Sequence, residues 1–296
     1  SRLAAILRPC AIRASHALVK LQQGRVEDLI IIGIACLGAF THTDYIKWVD
    51  ENTDAATEKF YTGILDGKDD AANRVELAAA CRSCEFPVAA GADISIGLFG
   101  VDTGSMLLLE ARTDQGQILL DKLAYPLVEA RVSRGKAVEK LVAGRIASRD
   151  HMLTETRQAT DSLEKLAGYL ATCVNCYNCR VACPVCYCRE CVFVTDVFDH
   201  DAATYMRWAE KKGAVKIPTD TLLYHITRMV HMSTACVGCG QCSNACPNDI
   251  PIMELFRAAA QETQAAFGYE AGRSVDEALP LAEFREQEFE DVVGLG

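Results

Sequence analysis

One cysteine spacing occurs twice in this chain, as Cys173-x2-Cys176-x2-Cys179-x3-Cys183-Pro184 and as Cys236-x2-Cys239-x2-Cys242-x3-Cys246-Pro247. Three thiolates so spaced grip one 4Fe–4S cluster, and where a chain carries two such runs the cysteine before the proline usually ligates the other cluster. The expected sets are therefore Cys173, Cys176 and Cys179 with Cys246, and Cys236, Cys239 and Cys242 with Cys183. Cysteine supplies 15 of the 296 residues, so one run arises by chance at a given start with a probability on the order of 10⁻⁵. Two runs leave structural zinc or disulfides as a minor alternative.

The length has room for two domains. A net charge of −10 argues against nucleic acid and against an anionic membrane surface. The longest apolar run, 29–37, has the length of a buried strand and its turn, far short of the roughly 18 residues a membrane span needs. No signal peptide is evident. Secreted disulfide scaffolds are short, whereas most cysteines here sit at cluster spacing, which points to a reducing cytoplasm. The chain opens at Ser1 inside the apolar run 3–7, as a strand joined midway would, and the expectation is that an N-terminal part of the natural protein is absent.

Residues 3–7 read as a buried strand stopped by Pro9, which cannot donate to a sheet ladder. Ala11, Ala14, Leu18 and Leu21 form a helical stripe. Residues 28–36 form a continuous apolar strand of the kind buried on both faces. The unit is strand–helix–strand, parallel, with Cys10 and Cys36 at the strand ends where such sheets hold ligands. A polar, helix-rich excursion over 41–75 precedes Cys81-x2-Cys84 at a turn, then a strand through Ile94, Ile96 and Leu98. Residues 105–111 and 118–120 read as an antiparallel hairpin. From about 137 to 170 the period is helical, and helices are expected at 202–212, 219–231 and 251–265. The fold class is an α/β core of mixed sheet followed by an α-helical two-cluster domain. The expected divisions are 1–133 (core), 134–170 (helical arm), 171–275 (two-cluster domain) and 276–296, an acidic tail with Glu283, Glu286, Glu288, Glu290 and Asp291. His225 and His231 read as packing or surface residues.

Seven cysteines lie outside that pairing. Cys10, Cys36, Cys81 and Cys84 could converge on a third cubane, although their separations leave buried structural thiols equally open. Cys186, Cys188 and Cys191 follow the first run; they replace a ligand, bind a further cluster with a partner, or pack round a cluster and tune it.

Several segments together resemble one family over nearly the whole chain: Arg8-Pro9-Cys10, Gly33-Ile-Ala-Cys36-Leu-Gly, Cys81-x2-Cys84, Ala92-Asp93-Ile-Ser-Ile-Gly97 and the double run with Pro218-Thr-Asp-Thr-Leu between. The family is that of the β subunits of coenzyme F-420-reducing hydrogenase and formate dehydrogenase, and the double run makes the formate dehydrogenase β subunit the nearer likeness. The long insert between the runs is similar to the α-helical ferredoxins of succinate dehydrogenase and heterodisulfide reductase. The resemblance implies a third 4Fe–4S cluster on Cys10, Cys36, Cys81 and Cys84, beside an FAD. It implies transfer of electrons from a molybdenum or tungsten formate dehydrogenase α subunit to FAD, and on to the deazaflavin coenzyme F-420 or a heterodisulfide-reductase-like partner. No GxGxxG occurs, so flavin rests on the resemblance, with Asp93, Ser95 and Gly97 as candidate contacts and a loop cap as their alternative. A pure electron-relay subunit without hydride chemistry is the rival from another class, and the β subunit of an F-420-reducing hydrogenase the rival within the family.

Overall fold

The structure, a computed structural model, describes residues 3–65, 77–123, 132–215 and 218–283. Strand β1 (Leu3–Leu7) leads through Pro9, at the first helical position, into α1 (Pro9–Lys20), and the chain returns as β2 (Leu29–Ile34). Proline fits there because its fixed φ suits a helix start and its missing N–H would have no helical partner. Strands β3 (Ile94–Gly97) and β4 (Leu108–Ala111) complete a four-stranded sheet in the order β1-β2-β3-β4. The first three strands are parallel, with Leu3 opposite Leu29 and Ile32 opposite Ile94; β4 runs antiparallel to β3. The expected parallel strand–helix–strand unit is therefore present, with Cys10 and Cys36 just past the ends of β1 and β2, but β1, expected to be buried, is an edge strand that leaves Leu3 and Ile6 exposed.

The excursion after β2 contains α2 (His42–Asn52) and α3 (Ala56–Leu65); its remainder, 66–76, lies outside the described residues. The one-turn helix α4 (Ala79–Arg82) carries Cys81 into the loop that holds Cys84.

The hairpin expected over 105–120 does not form. Residues 108–111 pair instead with β3, and the apolar run Ile118–Leu120 lies in α5 (Asp114–Asp121). Thr113 caps that helix, its hydroxyl accepting from Gly116 N–H at 3.2 Å. Gly116 also presses on the Asp93 carbonyl, where a Cβ would collide. Capping chemistry and one tight contact thus override the strand preference of a short apolar run.

Helices α6 (Val132–Ala159) and α7 (Leu163–Tyr169) form the connecting arm. The remainder comprises α8 (Asn178–Val181), α9 (Ala202–Lys212), α10 (Thr221–Met232), α11 (Gln241–Asn244) and α12 (Ile252–Ala266). Residues 276–283 are irregular, and the tail residues Glu286, Glu288, Glu290 and Asp291 lie outside the described residues. Among the described residues no helix is long and apolar enough to cross a membrane.

Helix α1 belongs to both halves. Its Ile12 packs with Ile31, Ala89 and Ala92 beneath the sheet, whereas Ala14 and Ala17 join the core formed by Leu170, Tyr224, Ile252 and Phe256. The small side chains let the second half approach closely. The chain after α12 fastens the same helix: Arg13 Nη2 donates to the Ala271 carbonyl at 2.8 Å, and the His16 ring lies 3.3 Å from the Gly272 carbonyl. The buried face of α10 is unusual in composition. Thr221, Tyr224, His225, Arg228 and Met232 fall at helical spacing, so polar groups occupy a stripe that is ordinarily aliphatic.

Candidate metal centre

Both cysteine runs wrap their loops in the same way. In the first, Asn175 and Tyr177 adopt left-handed backbone, φ 51° and 60°; at the matching places of the second, Gly238 and Gly240 do so with φ 66° and 76°. Each loop then closes into a single helical turn, α8 or α11. This winding turns amides toward sulfur. The N–H of the second residue on donates to the thiol at Cys173 (from Asn175), Cys183 (Val185), Cys236 (Gly238), Cys239 (Gln241) and Cys84 (Phe86).

The sulfurs gather in three groups. Cys173 lies within electrostatic reach of Cys176, Cys179 and Cys246. Cys242 lies within reach of Cys236, Cys239 and Cys183. Cys81 interacts with Cys10, Cys36 and Cys84. Each run thus stands beside the proline-adjacent cysteine of the other run. The four scattered cysteines of the first half converge as well. They line one pocket of about 70 Å³ with Arg8, Arg145 and, from the second run, Cys239 and Gly240. Helix α6 reaches this pocket through Arg145, whose Nη2 donates to the Leu37 carbonyl at 3.1 Å.

All fifteen cysteines are free of disulfides. Burial pushes the Cys81 thiol up to about 11 and that of Cys239 to about 12, and raises Cys242 well above the ordinary thiol range. Such thiols ionise only with a strong positive charge among them, which a bound metal centre supplies. Among the described residues no three His, Cys, Asp or Glu side chains close tightly enough to hold a single metal ion. Free thiols in fours with amides aimed at sulfur suit 4Fe–4S clusters.

The helical stripe of α10 faces the first group. The Tyr224 hydroxyl lies 3.4 Å from Cys179 Sγ, His225 Nε2 lies 3.3 Å from Cys173 Sγ, and Arg228 Nη1 donates to Cys179 Sγ at 3.2 Å. Sequence reasoning did not single out Tyr224 or Arg228. The available signal was a Tyr-His-x-x-Arg pattern on one helix face between the two runs. His225 is buried against a thiol and His231 is exposed, so both fall within the packing-or-surface expectation. Of the surplus cysteines, Cys186 faces Cys183 and Arg228, Cys191 packs on the main core, and Cys188 is exposed.

Of the candidate flavin positions, Ser95 and Gly97 are buried and Asp93 is half-buried. Asp93 accepts from Ile31 N–H at 2.8 Å and from the Thr113 hydroxyl at 2.7 Å, which occupies both of its oxygens in tying β2 to the start of α5. Ser95 is fully buried. Gly97 lies under the Arg134 guanidinium, with the nearest nitrogens about 3.0 Å from where a Cβ would stand. These three residues do not form an open cradle for a flavin.

A mixed α/β sheet domain joined to a dicluster iron–sulfur unit defines the class, that of an iron–sulfur protein. Comparison with known proteins agrees. Residues 1–131 match the family described as the C terminus of the coenzyme F420 hydrogenase/dehydrogenase beta subunit, and residues 169–250 match the 4Fe-4S dicluster domain. The chain is 27% identical to the F420-dependent formate dehydrogenase subunit beta of Methanocaldococcus jannaschii, over 94% of this chain and 75% of that protein. It is 28% identical to the F420-dependent formate dehydrogenase 1 subunit beta of Methanococcus maripaludis, over 95% of this chain and 75% of that one. The chain is thus similar to these β subunits over nearly its whole length, and is an oxidoreductase subunit.

Proposed function

We propose that this chain is the β subunit of a formate dehydrogenase-type complex, carrying electrons between a molybdenum- or tungsten-containing α subunit and the deazaflavin coenzyme F-420. The observation that carries the reading is the placement of Cys239 in the wall of the pocket formed by Cys10, Cys36, Cys81 and Cys84. One ligand set thus abuts the next, and the two sets of the double run meet around Arg228. Electron transfer needs centres held close and dry. Here α1, α6 and α12 hold them, with Ile12, Leu170, Ile252 and Phe256 nearly inaccessible to water.

The proposed ligands are Cys173, Cys176, Cys179 and Cys246 for one cluster, Cys236, Cys239, Cys242 and Cys183 for the second, and Cys10, Cys36, Cys81 and Cys84 for the third. Bound clusters supply one-electron steps, and a bound FAD would exchange them for the two-electron chemistry of a hydride carrier. Amides and arginines near the sulfurs stabilise thiolate and set potentials. Cys176 is exposed, so the first group offers the route to a partner. The unpaired thiols suit a reducing cytoplasm. The helical insert between the runs supports the likeness to α-helical ferredoxins.

A second reading keeps the relay and drops the hydride step. The engaged carboxylate of Asp93 and the burial of Ser95 favour it. The deciding experiment counts iron and flavin in the intact protein, with EPR of the reduced state and hydride exchange against reduced deazaflavin. Three cubanes and one FAD are expected. Stoichiometric iron without FAD would leave only the relay. Co-purification of a molybdenum or tungsten subunit separates a formate dehydrogenase from a hydrogenase partner.

A further inference from the structure

Arg228 is 3% exposed, yet among the described residues no carboxylate pairs with it. Its guanidinium lies 4.8 Å from the Phe256 ring centre and 5.5 Å from that of Tyr224. Nη1 donates to Cys179 Sγ at 3.2 Å and Nη2 to the Cys179 carbonyl at 3.1 Å. Its charge also acts on Cys183, Cys186 and Cys242, and on Cys236 behind Arg257 and Arg13. A buried guanidinium without an anion is too costly to persist. Cys179, at 3.2 Å, with Cys183, Cys186 and the Tyr224 hydroxyl nearby, is the group best placed to supply that anion.

We infer that Arg228 is the shared countercharge of the two clusters of the double run, a positioning residue that raises both reduction potentials and leaves the third cluster untouched. Reduction adds one electron to a cluster and makes it more negative, while Arg228 stays protonated throughout and no bond forms or breaks. A fixed positive charge beside both sites stabilises the reduced form of each. Arg8 acts on Cys10, and Arg257 and Arg145 on Cys84, whereas the direct contacts of Arg228 are with Cys179, Tyr224 and Phe256. Electrons arriving from a partner would thus meet two centres biased toward reduction by one residue.

The inference rests on the cluster assignment of the two runs, and the test separates the two. Intact protein and its Arg228→Gln and Arg228→Lys variants are titrated electrochemically, with EPR reading each cluster. In Arg228→Gln both dicluster potentials should fall by at least 59 mV, which is a tenfold loss in the one-electron reduction equilibrium. The third potential should hold, and Arg228→Lys, which keeps the charge, should recover most of the loss. Unshifted potentials in an iron-loaded Arg228→Gln, or an equal fall in all three clusters, overturn the inference. Absence of cubane signals in the unaltered protein overturns the cluster assignment instead. If Arg228→Gln fails to load iron, protein labelled with 15N-arginine decides. A guanidinium nitrogen coupling to the reduced first cluster, lost in Arg228→Lys, supports the inference; no coupling in the unaltered protein overturns it.

Discussion

Gly240 lies directly against Ala80, 160 residues earlier in the chain, and a methyl group on Gly240 would collide with the Ala80 Cβ. The contact joins the second cysteine run to the short helix that carries Cys81. Gly240 also sits at φ 76°, a conformation that costs an L side chain roughly 1–2 kcal/mol. Overpacking adds about 1–3 kcal/mol where neighbours cannot retreat. Gly240→Ala should therefore lower the thermal midpoint and widen the gap between the second and third ligand sets. Rapid-mixing spectroscopy should show slower electron passage to the third cluster with the iron content of the double run unchanged. An unaffected rate would mean that the gap at this contact does not govern transfer.

Cross-ligation makes an asymmetric forecast. Cys246→Ser should abolish the cluster held by Cys173, Cys176 and Cys179, although Cys246 belongs to the other run. Cys183→Ser should abolish the cluster held by Cys236, Cys239 and Cys242. Each variant should lose about four iron atoms and one EPR signal. Signals disappearing in the opposite order would show that each run ligates its own cluster.

The parts of this architecture legible in sequence were those with a strong local signal. A proline at a helix start and the continuous apolar run 29–34 mark the parallel unit and place Cys10 and Cys36 at its ends. The repeated spacing marks the double run. Two things escaped. The helix at Asp114–Asp121 was hidden because Ile118-Leu-Leu120 carries no period, and its cap at Thr113 depends on a tertiary contact between Gly116 and Asp93. The residues facing the sulfurs escaped for another reason. Tyr224, His225 and Arg228 sit on α10 at spacings that any amphipathic helix could show, and only the folded chain reveals that this face is buried against thiols. Spacing alone left the convergence of Cys36 with Cys81 and Cys84, across more than forty residues, as one of two open readings.

Glu85 follows Cys84 and holds two arginines from distant helices. Arg257 of α12 and Arg149 of α6 both bind its carboxylate, the latter at 3.0 Å, with the three side chains 10–17% exposed. Arg257 also donates to the Ser83 carbonyl at 2.8 Å. Removing one partner of a buried network leaves the rest uncompensated, at about 3–5 kcal/mol. Glu85→Gln should therefore destabilise the protein by roughly that amount in denaturant unfolding. Glu85→Asp, which retains the charge, should lose less. Equal losses would assign the effect to packing rather than charge.

His16 gives the chain a dependence on acidity away from any cysteine site. It is buried between α1 and the 268–276 segment, facing the Gly91 backbone, the Gly272 carbonyl, Lys20 and Asp276. Burial pulls its pKa below the ordinary 6.5, and Lys20 adds to the fall, against opposing help from the Gly272 carbonyl and Asp276. The unfolded chain therefore takes up a proton first as the pH drops through 6.5, while the folded chain still excludes it. Above that value the group costs nothing; below it, stability falls with a slope of up to about 1.4 kcal/mol per pH unit until the folded ring also titrates. Comparing denaturant midpoints at pH 7.5 and pH 5.5 should show a smaller loss in His16→Gln than in the unaltered protein, because glutamine removes the titration and keeps a donor for the Gly272 carbonyl. A parallel loss in both proteins would place the acid sensitivity at other groups and leave His16 a packing residue alone.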